Sequence, residues 1–332
     1  MSIRRLGNAD PEQWLEIARR SAYATYFHTP GWADLMARAY HLAPATQAFR
    51  LADGETAVLP LLAYTQGLFR GYKSMAPGVY GGPIAERSLA SDEVNEILDL
   101  AVTPRICHLR VFGNPYLEAF ACEPEQAEQF THVIDLRDGF EAVFRRFHQN
   151  HRRTYKAGAR SGLVVDRARS IEDYHEYFRV YQLDRRRWGA RAATDDPLEL
   201  FEEIRARADP QMILWLARLD QRVVAGDLFV YWRDLCIGWH GAADPAFFDR
   251  HPTNFLLTEI IRDACRRGVR WLDLNPSGGH AGVVAFKDSF GAERRYFRHG
   301  DRRGSTLYGW TSRVERSIRA RLRTTVSKRT SA

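Results

Sequence analysis

The chain has 332 residues, about twice the ~150 residues of a typical domain, so its length predicts two domains. Hydrophobic residues make up 45% of it and charged residues 27%, which excludes a disordered, collagenous or low-complexity protein. Lys and Arg number 48 against 41 Asp and Glu, and this net charge of +7 favours an anionic partner such as nucleic acid, anionic lipid or a phosphorylated substrate.

Targeting and cross-linking signals are weak. No stretch approaches the ~18 to 20 apolar residues of a membrane-spanning helix, and no apolar run follows the first basic pair, which argues against a secretory signal. We expect four reduced thiols in a cytoplasmic protein, with neither a zinc site nor a disulfide framework, because no CxxC pair occurs among Cys107, Cys122, Cys236 and Cys265.

Helix and strand patterns alternate along the first half of the chain. Apolar residues recur with helical spacing over residues 11–20, 32–40 and 91–102. Two apolar runs joined by Asp53-Gly54 predict a hairpin over residues 48–65. Short apolar runs predict strands at residues 107–112 and 132–136. This part is therefore predicted to be α+β with a largely antiparallel sheet.

The second half begins with a predicted amphipathic helix over residues 140–162, with one face formed by Phe140, Phe144, Phe147, His151 and Tyr155. A short strand and a helix with an aromatic face follow, then an Arg-rich loop around Trp188. Strands are predicted at residues 212–219, 223–232 and 235–242. A helix, a strand and a Gly-rich loop are predicted at residues 253–267, 269–275 and 276–282. A short helix and a last strand at residues 294–299 follow.

These patterns predict a fold class of α+β, or mixed α/β, with two similar units. The predicted boundaries are residues 1–138 for the first domain, 139–310 for the second and 311–332 for a C-terminal tail. A weak echo between residues 49–51 and 217–219, each before a predicted hairpin turn, is compatible with an internal duplication.

The Gly-rich loop is the first candidate for chemistry. Gly278, Gly279 and Gly282 allow a ligand to approach the backbone, and the amides at the start of the next helix would face an anion. Lys287 could place a positive charge on a phosphate or a developing oxyanion. A plain connection between a strand and a helix is the alternative interpretation.

The spacing around this lysine resembles a known family. The pattern Gly-x-x-x-Phe-Lys-x-x-Phe-Gly-Ala resembles the end of the Fem-type (FemAB-like) transferases and of their acetyltransferase-like relatives in the GNAT superfold, and it is formed here by Gly282, Phe286, Lys287, Phe290, Gly291 and Ala292. Similar segments are residues 27–32, 80–83, 150–163, 254–257 and 271–277. The resemblance spans nearly all of residues 20–300.

The resemblance implies tandem GNAT-like domains around one cleft, each a largely antiparallel sheet flanked by helices. It implies an N-acyltransferase that moves an acetyl or aminoacyl group onto an amine. The donor would be acyl-CoA or aminoacyl-tRNA, acting as a co-substrate rather than a tightly bound cofactor. The acceptor would be a small-molecule, lipid-linked or nucleotide-linked amine, including precursors of cell envelope biogenesis.

Three features depart from the family pattern. Asn275 stands where a Gly is usual, and the long coiled coil of some Fem proteins is absent. The GNAT pyrophosphate signature occurs only at residues 4–9, before the first helix, which puts a standard acetyl-CoA site in doubt.

The resemblance also implies roles for individual residues. Lys287, with the peptide group after Phe286, is the candidate that stabilises the tetrahedral intermediate. His240 is a candidate proton acceptor, since imidazole titrates near neutrality, and a core histidine is the alternative. Asp273 could orient the acceptor amine or act as a structural cap.

Further residues are predicted to bind substrate. Arg152, Arg153 and Lys156 would grip phosphates, with a solvated helix face as the alternative. The aromatic side chains of residues 174–188 could form a surface on which bases stack, and Arg187 would line the cleft beside them. The alternative is that these aromatic side chains belong to the core. The remaining predicted contacts are Tyr80, Trp239, Asn254, Ser277 and Gly282. We predict no metal site, because His148 and His151 have helical spacing but no acidic or thiol partner nearby.

The charge is concentrated at the C-terminus. Residues 311–332 hold seven basic residues and one acidic residue, and Val314, Ile318, Leu322 and Val326 recur every fourth position. They predict a basic amphipathic helix that lies on anionic lipid, at the inner membrane face, or on RNA, with a solvated terminus as the alternative. A competing function for the whole chain is a catalytically silent protein that binds a nucleotide-linked glycan or RNA.

Overall fold

The computed structural model describes residues 2–66, 69–75, 78–103, 106–189 and 194–304. The predicted tail at 311–332 lies outside the described residues. Within them, no helix is long and apolar enough to cross a membrane. The four cysteines, all of which are described, form no disulfide.

The first half alternates short strands with capped helices. Its helices are α1 (Pro11–Arg20), α2 (Pro30–Ala39) and α3 (Ser91–Ala101). Its strands are β1 (Arg4–Asn8), β2 (Ala43–Pro44), β3 (Gln47–Arg50), β4 (Thr56–Leu59), β5 (Leu62–Gln66), β6 (Phe69–Ser74) and β7 (Ile106–Val111). The Asp10 side chain caps α1 and the Thr29 hydroxyl caps α2, each just before a proline, so the sequence defines both helix starts.

The predicted hairpin is confirmed. Strands β3 and β4 pair antiparallel, with Arg50 opposite Thr56. Gly54 lies in the turn with a φ of +91°, which favours glycine.

The second half has longer elements. Its helices are α4 (Phe140–Arg146), α5 (Gln149–Arg160), α6 (Ile171–Trp188), α7 (Leu198–Arg207), α8 (Pro252–Arg266) and α9 (Ala281–Asp288). Its strands are β8 (Gln129–Asp135), β9 (Val164–Arg167), β10 (Met212–Leu219), β11 (Arg222–Trp232), β12 (Leu235–Ala243), β13 (Trp271–Asp273), β14 (Glu293–Phe297) and β15 (Arg302–Arg303).

One predicted helix is wrong. Residues 140–162 form two helices, because Phe147 and His148 adopt extended backbone. The amide of His148 donates to the carbonyl of Ser289 at 2.8 Å, and its ring caps the start of α5. A tertiary hydrogen bond therefore replaces the helical one at this point.

Three sheets organise the described residues. Their strand orders are β1-β3-β4, β15-β7-β6-β5-β2 and β14-β8-β13-β12-β11-β10-β9. All named pairs are antiparallel except β6 with β7 and β12 with β13. The expected mixed fold with mostly antiparallel sheets is confirmed.

The order of elements repeats along the chain. With the short strand β2 left out, the run β1, α1, α2, β3, β4 is matched by β9, α6, α7, β10, β11. In both halves a strand, a helix and a parallel strand come later, as β6, α3, β7 after the additional strand β5 and as β12, α8, β13. This repetition supports the duplication suggested by the echo at residues 49–51 and 217–219.

The boundary predicted at residue 138 stays a prediction. Strand β8 precedes it and pairs with β13 and β14 in the largest sheet. Strand β15, from the end of the described chain, pairs with β7 of the first half. The two halves therefore exchange strands in this region.

The largest sheet is buried on both faces. Leu216 and Leu228 face a core shared with α6, α7 and the first half. Trp215 and Phe229 face the other core, with α8. Alternating residues of one strand therefore belong to different cores.

Candidate active site

A gap opens in the middle of the largest sheet. Strand β12 pairs with β13 only from Leu235 to Ile237, opposite Trp271 to Asp273. On its other edge β12 stays paired with β11 as far as Ala243, around a bulge at Trp239. Within the described residues, the β12 edge from Gly238 to Ala243 thus has no strand partner, and its backbone groups are left for a ligand.

The turn after β13 forms the opposite side of the gap. Asn275 has a φ of +60°, in the left-handed region that glycine and asparagine tolerate best. Its side-chain amide donates to the carbonyl of Gly78 at 2.9 Å. Asparagine is therefore, after glycine, the residue type that costs least at this backbone conformation.

Lys287 fixes this turn through hydrogen bonds to its backbone. Its Nζ donates to the carbonyl oxygens of Asn275 at 2.6 Å and Pro276 at 3.2 Å. An ammonium group has three N–H donors, so one remains for a ligand. Burial lowers the pKa of Lys287 to about 8, against the opposing effect of the Asp273 and Asp227 charges.

The peptide group after Phe286 lies inside α9, where the helical ladder engages its N–H. The Phe286 ring packs against Phe290 and His151. Of the two groups predicted to stabilise the tetrahedral intermediate, the Lys287 ammonium is therefore the one that can contact a ligand, rather than the peptide group after Phe286.

Polar atoms without partners face the same region. The Ser277 hydroxyl and the Asn275 side-chain oxygen are buried and have no hydrogen-bond partner in the described structure. A Cβ added at Gly279 or Gly282 would meet no atom within 4 Å. The turn therefore combines unsatisfied polar groups with open space, as a ligand site requires.

Asp273 is fully engaged by the protein. Its carboxylate accepts hydrogen bonds from Tyr80 at 2.8 Å, Tyr116 at 2.6 Å, Thr131, and the Asn275 amide at 2.7 Å. It is completely buried. These donors hold the carboxylate in one position, which suits orientation of the turn rather than contact with a substrate.

His240 is similarly enclosed. Its Nδ1 contacts the Tyr177 hydroxyl and its Nε2 lies 3.2 Å from the Asp196 carboxylate. Burial raises the pKa of Asp196, but the hydrogen bond and charge of His240 bring it below its ordinary value. Both ring nitrogens of His240 have protein partners, which favours the core-histidine alternative stated above.

The other predicted contacts lie on three different elements. Trp239 of β12 packs edge-on against the buried Trp32 at 4.6 Å, which ties the open edge to α2. Asn254 of α8 donates to His151 Nδ1 of α5 at 3.0 Å. Arg187 contacts residues of its own helix, because it pairs with Asp184 and lies over the Trp188 ring at 4.3 Å.

The three basic residues of α5 divide into two kinds. Arg152 donates to the carbonyl oxygens of Arg145 and Phe147, so it fixes the break between α4 and α5. Arg153 and Lys156 are exposed. Binding of phosphate by these residues stays a prediction.

Sequence reasoning missed Asp227, which lies on β11 beside the gap. Its Oδ1 would lie 2.2 Å from a Cβ at Gly241, so the carboxyl lies over Gly241, within the open part of β12. An acid inside the apolar run VVAGDLFVYW is a signal that could have found it. Thr131, Tyr116 and Asp196 were also missed, and nothing in their local sequence indicates their contacts.

Two further observations concern metal binding and a second groove. No group of three or more His, Cys, Asp or Glu among the described residues could hold a metal ion. A groove of about 450 Å³ lies between α1 and the first hairpin, lined by Gln13, Glu16, Ile17, Gly54, Glu55, Thr56 and Glu86. None of the predicted site residues lines this groove.

Comparisons with known proteins agree with this geometry. Residues 145–288 match the model of the acetyltransferase (GNAT) domain family. The structure of FemX aligns with a TM-score of 0.65 and 13% identity, covering 90% of this chain and 96% of FemX. No curated protein sequence matches the chain.

Two lysylphosphatidylglycerol synthetase structures also align. The C-terminal domain of a protein assigned as this synthetase in Agrobacterium fabrum gives a TM-score of 0.57 and 12% identity, covering 93% of this chain and 97% of that one. L-PGS from Bacillus licheniformis gives 0.51 and 11%, covering 91% and 95%.

Residues 145–288 are an acetyltransferase-type (GNAT) domain, and the chain as a whole shares the fold of FemX. The resemblance inferred from the lysine motif is thereby confirmed at the level of fold. The gap between β12 and β13 lies within the matched domain.

Proposed function

We propose that this protein is an N-acyltransferase that moves an acyl group from an activated donor onto an amine. The observation that carries the proposal is the open edge of β12 opposite the turn held by Lys287. A narrow, extended acyl arm can hydrogen-bond to such an edge as an added strand would. The same position brings its carbonyl toward the ammonium of Lys287.

Lys287 would act on the transition state. When the amine attacks, negative charge develops on the carbonyl oxygen, and a positioned donor stabilises it more than it stabilises the substrate. The carbonyls of Asn275 and Pro276 fix the ammonium in place beforehand. The unpartnered hydroxyl of Ser277 is a second candidate contact for the donor.

The donor is proposed to be acyl-CoA or aminoacyl-tRNA. Both carry a slim acyl arm on an anionic body, and the exposed Arg153 and Lys156 on α5 supply positive charge for such a body. The GNAT family match favours an acetyl donor. The lysylphosphatidylglycerol synthetases, by their name, make a lysyl lipid, which favours an aminoacyl donor and an acceptor in the cell envelope.

The test is an acyl-transfer assay with the purified full-length protein. Acetyl-CoA and lysyl-tRNA would each be supplied with a panel of amines, and the amide product measured by mass spectrometry. Thiol release identifies the CoA donor, and loss of activity after ribonuclease treatment identifies tRNA. We expect Lys287→Met to lower the rate by about 10²-fold or more.

The matched control is Lys73→Met, at a half-buried lysine in the first half, which contacts the Tyr64 ring. It should retain the wild-type rate, and thermal unfolding should verify that both variants are folded. Product formation unaffected by Lys287→Met would refute the assigned role. Donor binding without any product would favour the silent binding protein instead.

A further inference from the structure

The proposed reaction needs a proton acceptor, and the predicted candidates are occupied. His240 has protein partners on both ring nitrogens, and Asp273 accepts four hydrogen bonds. Using either as a base would first require breaking buried contacts. The acceptor must therefore be sought elsewhere beside the gap.

Asp227 meets the geometric requirement. It lies on β11 directly opposite Gly241, inside the segment of β12 whose other edge is open. Asp227 as a residue is half-buried, and its carboxyl has no hydrogen bond or ion pair within the described residues. A Cβ at position 241 would lie 2.2 Å from the Asp227 Oδ1, so a side chain there would displace the carboxyl.

The electrostatic surroundings of Asp227 come from two helices. Lys287 of α9 is coupled to it by charge, and burial together with the Asp227 charge raises the pKa of Tyr177 on α6. Burial raises the pKa of Asp227 itself to about 8, and Lys287 opposes the shift. A carboxyl that titrates near neutral pH is well matched to accepting and returning a proton.

We propose, resting on the acyltransferase function above, that Asp227 is the catalytic base that accepts the proton of the acceptor amine. The amine nitrogen bonds to the acyl carbon, and the carbonyl electron pair moves to oxygen beside Lys287. The attacking nitrogen, which is now positively charged, gives its proton to the Asp227 carboxylate, while Lys287 keeps its own protons. When the oxyanion collapses, the bond to the leaving sulfur or oxygen breaks, and the proton returns to that leaving group.

The experiment compares Asp227→Asn with Asp234→Asn, which makes the same change at the exposed turn of the same hairpin. We expect Asp227→Asn to lower kcat by about 10²-fold or more with little change in KM, and Asp234→Asn to behave as wild type. Formate should restore part of the rate of Asp227→Ala, because it can replace the missing carboxylate. A purely structural residue would not be rescued in this way.

The outcomes separate the two proposals. An active wild type with Asp227→Asn at full rate overturns the role of Asp227 alone, whereas an inactive wild type overturns the acyltransferase function and this role with it. If Asp227→Asn does not fold, the wild-type pH profile decides. With methoxyamine as an uncharged acceptor, kcat/KM should fall below about pH 8, where the Asp227 carboxyl is protonated, and fall again at higher pH as the Lys287 ammonium loses its proton. A flat profile would contradict the proposal.

Discussion

The hydroxyl of Tyr80 donates to the carboxylate of Asp273 at 2.8 Å, joining the first half of the chain to the strand that borders the gap. Both residues are fully buried, and Tyr116 adds a second hydroxyl at 2.6 Å. The position of the turn beside Lys287 therefore depends on residues 193 and 157 positions away.

Replacing Tyr80 should destabilise the protein through this carboxylate. Tyr80→Phe removes one donor from a buried charge, and we expect a loss of about 1–3 kcal/mol in the free energy of unfolding, measured in urea. Tyr72→Phe is the control, at a buried tyrosine of β6 outside this hydrogen-bond network, and should cost much less. Equal losses for the two variants would contradict the account.

Asn275 allows backbone strain to be separated from its hydrogen bond. Asn275→Gly and Asn275→Ala both lose the hydrogen bond to the Gly78 carbonyl, but only the alanine variant is strained by the positive φ. We expect the alanine variant to be less stable than the glycine variant by about 1 kcal/mol, measured by urea unfolding. Equal stability would mean that the turn relaxes to another conformation.

Two buried histidines should make stability depend on pH. Burial lowers the pKa of His28 and of His151 to about 4, from an ordinary value of 6.5. Between these values the unfolded chain binds protons that the folded chain does not. The stability that these two histidines contribute is therefore complete above pH 6.5 and is lost toward pH 4, by up to about 1.4 kcal/mol per pH unit for each histidine.

The measurement is urea unfolding between about pH 7 and pH 5. His151→Gln should flatten the dependence on pH, whereas His41→Gln, at an exposed turn residue, should leave it as in wild type. A slope that His151→Gln does not change would show that other groups control acid destabilisation.

Salt dependence tests the basic residues of α5. Arg153→Gln combined with Lys156→Gln should weaken binding of the anionic donor at low salt, and the difference from wild type should shrink as salt rises. The control changes Arg266 to Gln, since this exposed residue lies at the end of α8. An affinity equal to wild type at every salt concentration would exclude these residues from the binding surface.

Local signals made much of the fold predictable. Asp10, Thr29 and Ser170 each cap a helix through the amide three residues ahead, and Asp53-Gly54 makes its turn from its own residues. The break at His148 was not predictable in this way. It depends on the Ser289 carbonyl, and the apolar spacing of residues 140–155 fits either one helix or two.

The sequence allowed several residues of the site to be predicted, but not the role of each. The lysine motif and the Gly-rich turn do lie together, but the partners of Asp273 and His240 come from distant segments. Those partners occupy the atoms that a catalytic role would need. Asp227 was visible as an acid in an apolar strand, yet only the pairing of β11 with β12 places it beside the gap.

Hydrogen exchange tests the central claim most directly. Amides on the open edge of residues 238–243 should exchange in the free protein and become at least about 10-fold slower when acetyl-CoA or lysyl-tRNA is bound. Amides of β10, which is paired on both edges, serve as the internal control. Protection at the groove between α1 and the first hairpin, with none at residues 238–243, would contradict acyl transfer at the gap.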